Sequence, residues 1–207
     1  MHQYIAVEGV IGAGKTTIAH VLADALKAQL LLEEFEENPF LSKFYENQDK
    51  FAFPLELSFL ASRYHQVKQV LENPSLFHNG IVSDFVLYKS LVFASTTLEN
   101  DQFLLYRRLF DIMFQQMPKP DLTIFIYHSV EQLQANIRKR GRDYEQNISN
   151  EYLETLNDTY LQYFKQLTNH SILILDGKKF DIIENPETRL ELISLCQRKF
   201  PEGMNYL

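Results

Sequence analysis

Apolar residues along this chain follow two rhythms. Short runs at Tyr4–Val7, Leu30–Leu32, Ile81–Val82, Leu122–Tyr127 and Ile172–Leu175 are continuous rather than alternating, as expected of strands buried on both faces of a parallel sheet. Between them, apolar residues three and four apart predict helices at about Lys15–Leu26, Leu87–Thr97, Phe103–Gln116, Val130–Arg140, Asn150–Leu167 and Pro186–Lys199. Strands alternating with helices imply βαβ units, hence an α/β fold with a five-stranded parallel sheet flanked by helices. One segment gives a mixed signal. Phe51, Phe53, Leu55, Leu57 and Phe59 alternate as in a strand, but Pro54 interrupts them and β-branched residues are lacking. Leu60, Tyr64, Val67 and Leu71 continue at helical spacing, which predicts a helix entered near Pro54.

No repeat, linker or compositional break divides the chain, so residues 1–207 are expected to form one domain. The net charge of −7 offers no field that would collect a nucleic-acid polymer or an anionic membrane. The single cysteine, Cys196, cannot form an internal disulfide, and no apolar run reaches bilayer-spanning length. The start lacks a charged region followed by an apolar stretch. Together these features predict a cytoplasmic protein.

The most specific chemistry lies near the N-terminus. Gly9-Val10-Ile11-Gly12-Ala13-Gly14-Lys15-Thr16 matches the phosphate-binding pattern G-x-x-x-x-G-K-[ST], with an apolar strand before it and a helix after it. Gly9, Gly12 and Gly14 let backbone N–H groups approach phosphate oxygens, with Ala13 and Thr17 in the same cradle. The helix adds unpaired N–H groups and its positive dipole end. Lys15 is expected to neutralise the β- and γ-phosphates of ATP, and the Thr16 hydroxyl to hold Mg²⁺. The alternative is a glycine-rich turn with a chance Lys-Thr. No guanine-reading Asn-Lys-x-Asp motif occurs, so a kinase is favoured over a GTPase.

Kinases need acids at strand ends and a basic lid. Asp84 follows the apolar Ile81–Val82 run, and ligands of parallel sheets bind beyond such ends. It is placed to position Mg²⁺, or else to cap the next helix. Glu33 opens the run Glu33-Glu34-Phe35-Glu36-Glu37 after the second strand. It is a candidate to accept the proton of an attacking hydroxyl, or part of a solvated acidic turn. Arg138-Lys139-Arg140-Gly141-Arg142 closes a helix, either as a solvated basic end or as a lid whose cations offset charge on a transferring phosphoryl group.

Four blocks in this order resemble the deoxynucleoside kinase family, in its bacterial deoxyguanosine/deoxyadenosine kinase branch. They are Gly9–Thr16, Glu33 to Pro39, Phe51 to Arg63, and Arg138 to Leu153, within a likeness running from Tyr4 to about Leu195. The resemblance implies a P-loop kinase fold and phosphorylation of a deoxynucleoside 5′-hydroxyl by ATP. It makes Glu33 the general base, pairs Tyr45 with Glu145 on the sugar 3′-hydroxyl, and puts Arg140 and Arg142 on the phosphates. It further implies that Phe180 and Asp181 lie near the ATP adenine and that the protein is a homodimer.

Three departures matter. Where many members have an acid followed by arginine, this chain has Asp84-Phe85, and Lys89, four residues beyond Phe85, is expected to supply the missing cation. A family lid arginine is Asn136 here, with Arg138 as its expected substitute. The position that commonly holds a base-reading glutamine is Glu56, with Arg63 seven residues on and on the same helical face. A carboxylate accepts two hydrogen bonds, which suits the adjacent N1–H and N2–H₂ donors of guanine. Arg63 could donate to guanine O6 or N7. Deoxyguanosine is therefore expected to be preferred, with deoxyadenosine second, unless Glu56 merely pairs with Arg63 or Lys89. The rivals are a nucleoside monophosphate kinase, which needs further arginines, and a nucleotide-binding subunit without turnover.

Overall fold

A computed structural model describes residues 2–35, 38–73, 77–115, 117–182 and 185–207. Within them lie six strands: β1 (Tyr4–Glu8), β2 (Gln29–Leu31), β3 (Ile81–Ser83), β4 (Leu122–Tyr127), β5 (Ser171–Asp176) and β6 (Gly203–Tyr206). The helices are α1 (Lys15–Leu26), α2 (Leu41–Glu46), α3 (Gln48–Glu72), α4 (Lys89–Thr97), α5 (Asn100–Phe114), α6 (Val130–Arg140), α7 (Asn150–Gln166) and α8 (Pro186–Leu195). The sheet order is β2-β3-β1-β4-β5-β6, and every neighbouring pair is parallel. β1 thus runs between β3 and β4, and the residues leaving its C-terminal end enter a crevice flanked by both neighbours. The five apolar runs form five of the strands. The sixth corrects the expected count: Gly203-Met204-Asn205-Tyr206 lacks a buried apolar run because it pairs only with β5, at the sheet edge.

α3 also differs from expectation. It begins at Gln48, six residues before Pro54, where the Asn47 side chain accepts a hydrogen bond from the Lys50 N–H at 3.1 Å. Its alternation has a helical cause. Residues two apart on a helix lie on nearly opposite sides, and α3 is covered on two sides. Ala52 and Leu55 pack with Phe44 of α2, while Leu60 packs with Ala94 of α4 and Tyr106 of α5, flanked by Phe53 and Leu57. The helix expected to end at Lys199 stops at Leu195, and Cys196 is buried, with burial pushing its thiol up to about 12. Among the described residues, no helix is long and apolar enough to cross a membrane.

Candidate active site

The loop leaving β1 is shaped by close backbone approach. Gly12 has φ 86°, and a Cβ there would lie 2.8 Å from the Leu133 carbonyl oxygen of α6, so a larger residue would push loop and helix apart. Asn136 of α6 ties the same contact by donating from Nδ2 to the Gly12 carbonyl at 2.8 Å. α1 starts after Gly14, whose φ is 82°, with no side chain capping its first turn. Its leading N–H groups are thus left for an anion. Lys15 Nζ donates to the carbonyls of Gly9 (2.8 Å) and Val10 (3.2 Å). Burial, reinforced by Lys89, pushes its ammonium down to about 8, an instability that a bound phosphate would reverse.

Asp84, just past β3, joins this loop to the acceptor side. Its Oδ2 accepts from the Thr16 hydroxyl at 2.6 Å and its Oδ1 from the Glu33 backbone N–H at 2.7 Å. Both oxygens are engaged there rather than at the start of α4. Gln66 of α3 steadies the same segment by donating to the Leu32 carbonyl at 2.6 Å. Glu33 is held from both sides, with Lys89 Nζ 2.5 Å from Oε2 and Arg63 Nε 2.7 Å from Oε1. Burial alone would raise this carboxyl, but the two cations outweigh it and hold it near about 2. Lys89 is buried, not a surface lysine. Arg63 also donates from Nη1 to Ser90 at 2.7 Å, so the guanine contact expected of it falls to its remaining nitrogen.

Glu33 also lines a cavity of about 110 Å³ whose walls include Tyr45, Glu56, Phe59, Arg63, Lys89, Phe93, Glu145 and Tyr152. Glu56 is 2% exposed; its Oε1 accepts from Thr97 at 3.3 Å, while Oε2 has no partner among the described residues. Burial, only partly offset by Arg63, pushes its carboxyl up to about 7. Tyr45 stacks on Tyr144 with centroids 6.2 Å apart, and burial followed by Glu145 pushes its phenol up. Tyr45 and Glu145 are therefore brought to one cavity. Glu145, in the turn Asp143–Glu145, accepts from Arg140 and, at 3.4 Å, from Arg142.

Sharing Glu33 and Asp84 with that cavity is a cleft of about 1030 Å³ walled by Gly12, Gly14, Lys15, Thr16, Thr17, Glu33, Asp84, Asn136, Lys139, Arg140 and Arg142. Arg142 lies over the Phe35 ring, its guanidinium carbon 4.2 Å from the centroid. Arg138 is exposed and is not among these walls, whereas Asn136, whose place it was expected to fill, is. At about 100° per residue, position 138 points some 200° away from 136, whereas 139 and 140 return to its face. Phe180 packs against the main core and Asp181 is exposed, and neither lines the cleft. They follow β5, two strands from β1 and so about 10 Å along the sheet. Gly9 and Ala13 shape the loop from behind without lining the cleft. Glu36 and Glu37 of the acidic run lie outside the described residues.

Sequence reasoning missed Glu8. It is fully buried at the end of β1, accepting from Val86 N–H (2.8 Å) and the Tyr160 hydroxyl (2.9 Å), and burial pushes its carboxyl up. It ties the phosphate loop to the Asp84 segment and to α7. An acid inside an apolar strand next to Gly9 was the available signal. Lys139 was legible only as one member of the basic run, and Phe35 and Thr97 carry no local signal of a role.

The deoxynucleoside kinase family model matches residues 5–200. A deoxyguanosine kinase of Bacillus subtilis (strain 168) is 36% identical over 186 residues, 88% of this chain and 90% of that protein. A deoxyadenosine kinase of Dictyostelium discoideum is 33% identical over 172 residues, 81% of this chain and 69% of that protein. The structure of a deoxyadenosine kinase from M. mycoides with bound dATP superposes with a TM-score of 0.81 at 24% identity, covering 95% of this chain and all of that one, a likeness of fold. With the phosphate loop, the Glu33 cluster and the basic lid gathered around one crevice, this chain belongs to the deoxynucleoside kinase family.

Proposed function

We propose that the protein transfers the γ-phosphoryl group of ATP to the 5′-hydroxyl of a purine deoxynucleoside, deoxyguanosine first and deoxyadenosine second. The observation that carries the purine preference is Glu56, a buried carboxylate in the cavity wall with one oxygen uncommitted. Guanine offers that group two parallel donors. Glu33 orients the 5′-hydroxyl and receives its proton. Lys15, Arg140, Arg142 and the N–H groups of the first turn of α1 offset charge on the phosphates. Tyr45 and Glu145 take the sugar 3′-hydroxyl, which requires Glu145 to release the lid arginines. Phe180 and Asp181 belong to the far, adenine end of the nucleotide.

The residues that fit Mg²⁺ are Thr16 and Asp84, whose side-chain oxygens meet at 2.6 Å. Among the described residues no cluster of three or more His, Cys, Asp or Glu side chains could hold a metal. When bound, it supplies neutralisation of the phosphates. The reading includes a cytoplasmic homodimer; the exposed Leu104, Leu105 and Ile112 of α5 are apolar surface for such an interface. An ATP-coupled assay with the four deoxynucleosides tests it. Deoxyguanosine is expected to give the highest kcat/KM and deoxyadenosine the next. A pyrimidine in first place, or turnover only of monophosphates, would refute it.

A further inference from the structure

Glu56 is an unusual choice for a buried wall. Among the described residues its one side-chain hydrogen bond is the 3.3 Å contact from Thr97, and the Thr97 hydroxyl has a single proton with a shorter acceptor, the Phe93 carbonyl at 2.9 Å. The carboxylate is therefore poorly satisfied, and an unsatisfied buried charge favours its neutral form. Every element around it bears on that balance. Arg63 of α3 and Lys89 of α4 favour the anion, but both are spent on Glu33, whose own charge opposes it. Tyr45 of α2, Tyr106 of α5 and Tyr152 of α7 add neutral phenols that cannot compensate a charge. The lid's Arg140 and Arg142 share the cavity but are engaged with Glu145. Burial dominates and pushes the carboxyl up to about 7.

The two forms present different hydrogen-bonding faces. Ionised, Glu56 is two acceptors, the complement of guanine N1–H and N2–H₂. Protonated, it is one donor and one acceptor, the pattern of an amide and the complement of adenine N1 and N6–H₂. We propose that the protonation of Glu56 selects between the two purines, so that this kinase favours deoxyadenosine in acid and deoxyguanosine in base. The inference rests on the purine kinase reading above. The proton exchanges with solvent, and no other reactant is needed.

The test measures kcat/KM for deoxyguanosine and deoxyadenosine between about pH 6 and about pH 8, for the wild type and Glu56→Gln, whose amide keeps the shape and does not titrate. The wild-type ratio of deoxyguanosine to deoxyadenosine is expected to rise at least about tenfold across that range. The Glu56→Gln ratio is expected to be low and flat. A wild-type ratio constant within about twofold, or a Glu56→Gln slope equal to the wild type's, would overturn the switch while both purines still turned over. Failure of both purines at every pH would instead overturn the purine reading itself.

Discussion

Glu33 is a carboxylate held between two cations, and the proposed function makes it the base. A catalytic base works best with a pKa near the working pH, yet Lys89 and Arg63 keep this carboxyl near about 2. So weak a base takes a proton only from a hydroxyl already made acidic by bonding to phosphorus. That order suits a loose phosphoryl-transfer transition state, in which positioning outweighs proton abstraction. Lys89 is then part of the positioning. Lys89→Met is expected to lower kcat/KM about 100-fold, mainly through kcat. In a double-mutant cycle with Glu33→Gln, measured by denaturation, the pair is expected to couple by about 0.5–3 kcal/mol; independent effects would place Lys89 outside the cluster. The sequence singled out Lys89 for a partly mistaken reason. Helical spacing puts it one turn beyond Phe85, but Phe85 precedes α4 and is buried with Leu31, Val67 and Leu87, while Lys89 is the first residue of the helix. The cation was legible because its chemistry was missing elsewhere; the route by which it arrives was set by tertiary packing.

At the scale of elements, α6 carries the basic run that the proposed function reads as a lid, and its face decides which cations reach the cleft. Asn136 anchors it to the phosphate loop, Lys139 and Arg140 share the cleft wall, and Arg138 points outward. Arg138→Ala is therefore expected to leave kcat/KM within about twofold of the wild type. Lys139→Ala, by contrast, is expected to raise the KM for ATP severalfold and Arg140→Ala to cost on the order of 100-fold in kcat. Initial rates at varied ATP distinguish the three, and an Arg138 effect as large as that of Arg140 would contradict the assigned face. Five strands, both ends of α1 and α6 and the C-terminal end of α4 were readable from apolar rhythm because burial on the main sheet imposes it. α3 and β6 were less readable for opposite reasons. α3 is buried on two sides, which scrambles a one-sided helical period, and β6 is an edge strand with little buried surface to leave a period at all.

For the whole molecule, Glu56 is a cost carried by the fold. A buried acid whose folded pKa exceeds its unfolded value binds more protons in the native state than in the unfolded one. Its contribution is therefore most favourable below the unfolded value, about 4.3. It is lost as pH rises to the folded value near about 7. Glu33 runs the other way, with stability present above its unfolded pKa and lost only as pH falls through about 2, outside the working range. Other groups titrate as well, among them His128 and His170, whose imidazoles burial pushes down. Comparison with Glu56→Gln removes those shared terms. The variant is expected to gain stability relative to the wild type between about pH 5 and about pH 8, by up to about 3 kcal/mol, read as several degrees of Tm. Any constant penalty from the new amide cancels, because the readout is the change in the difference with pH. If the Tm difference is the same at both ends, Glu56 does not change its charge over that range. If it grows with pH, the molecule gives up stability near neutrality to keep an ionisable group against the base, the kind of local conflict that selection for function retains.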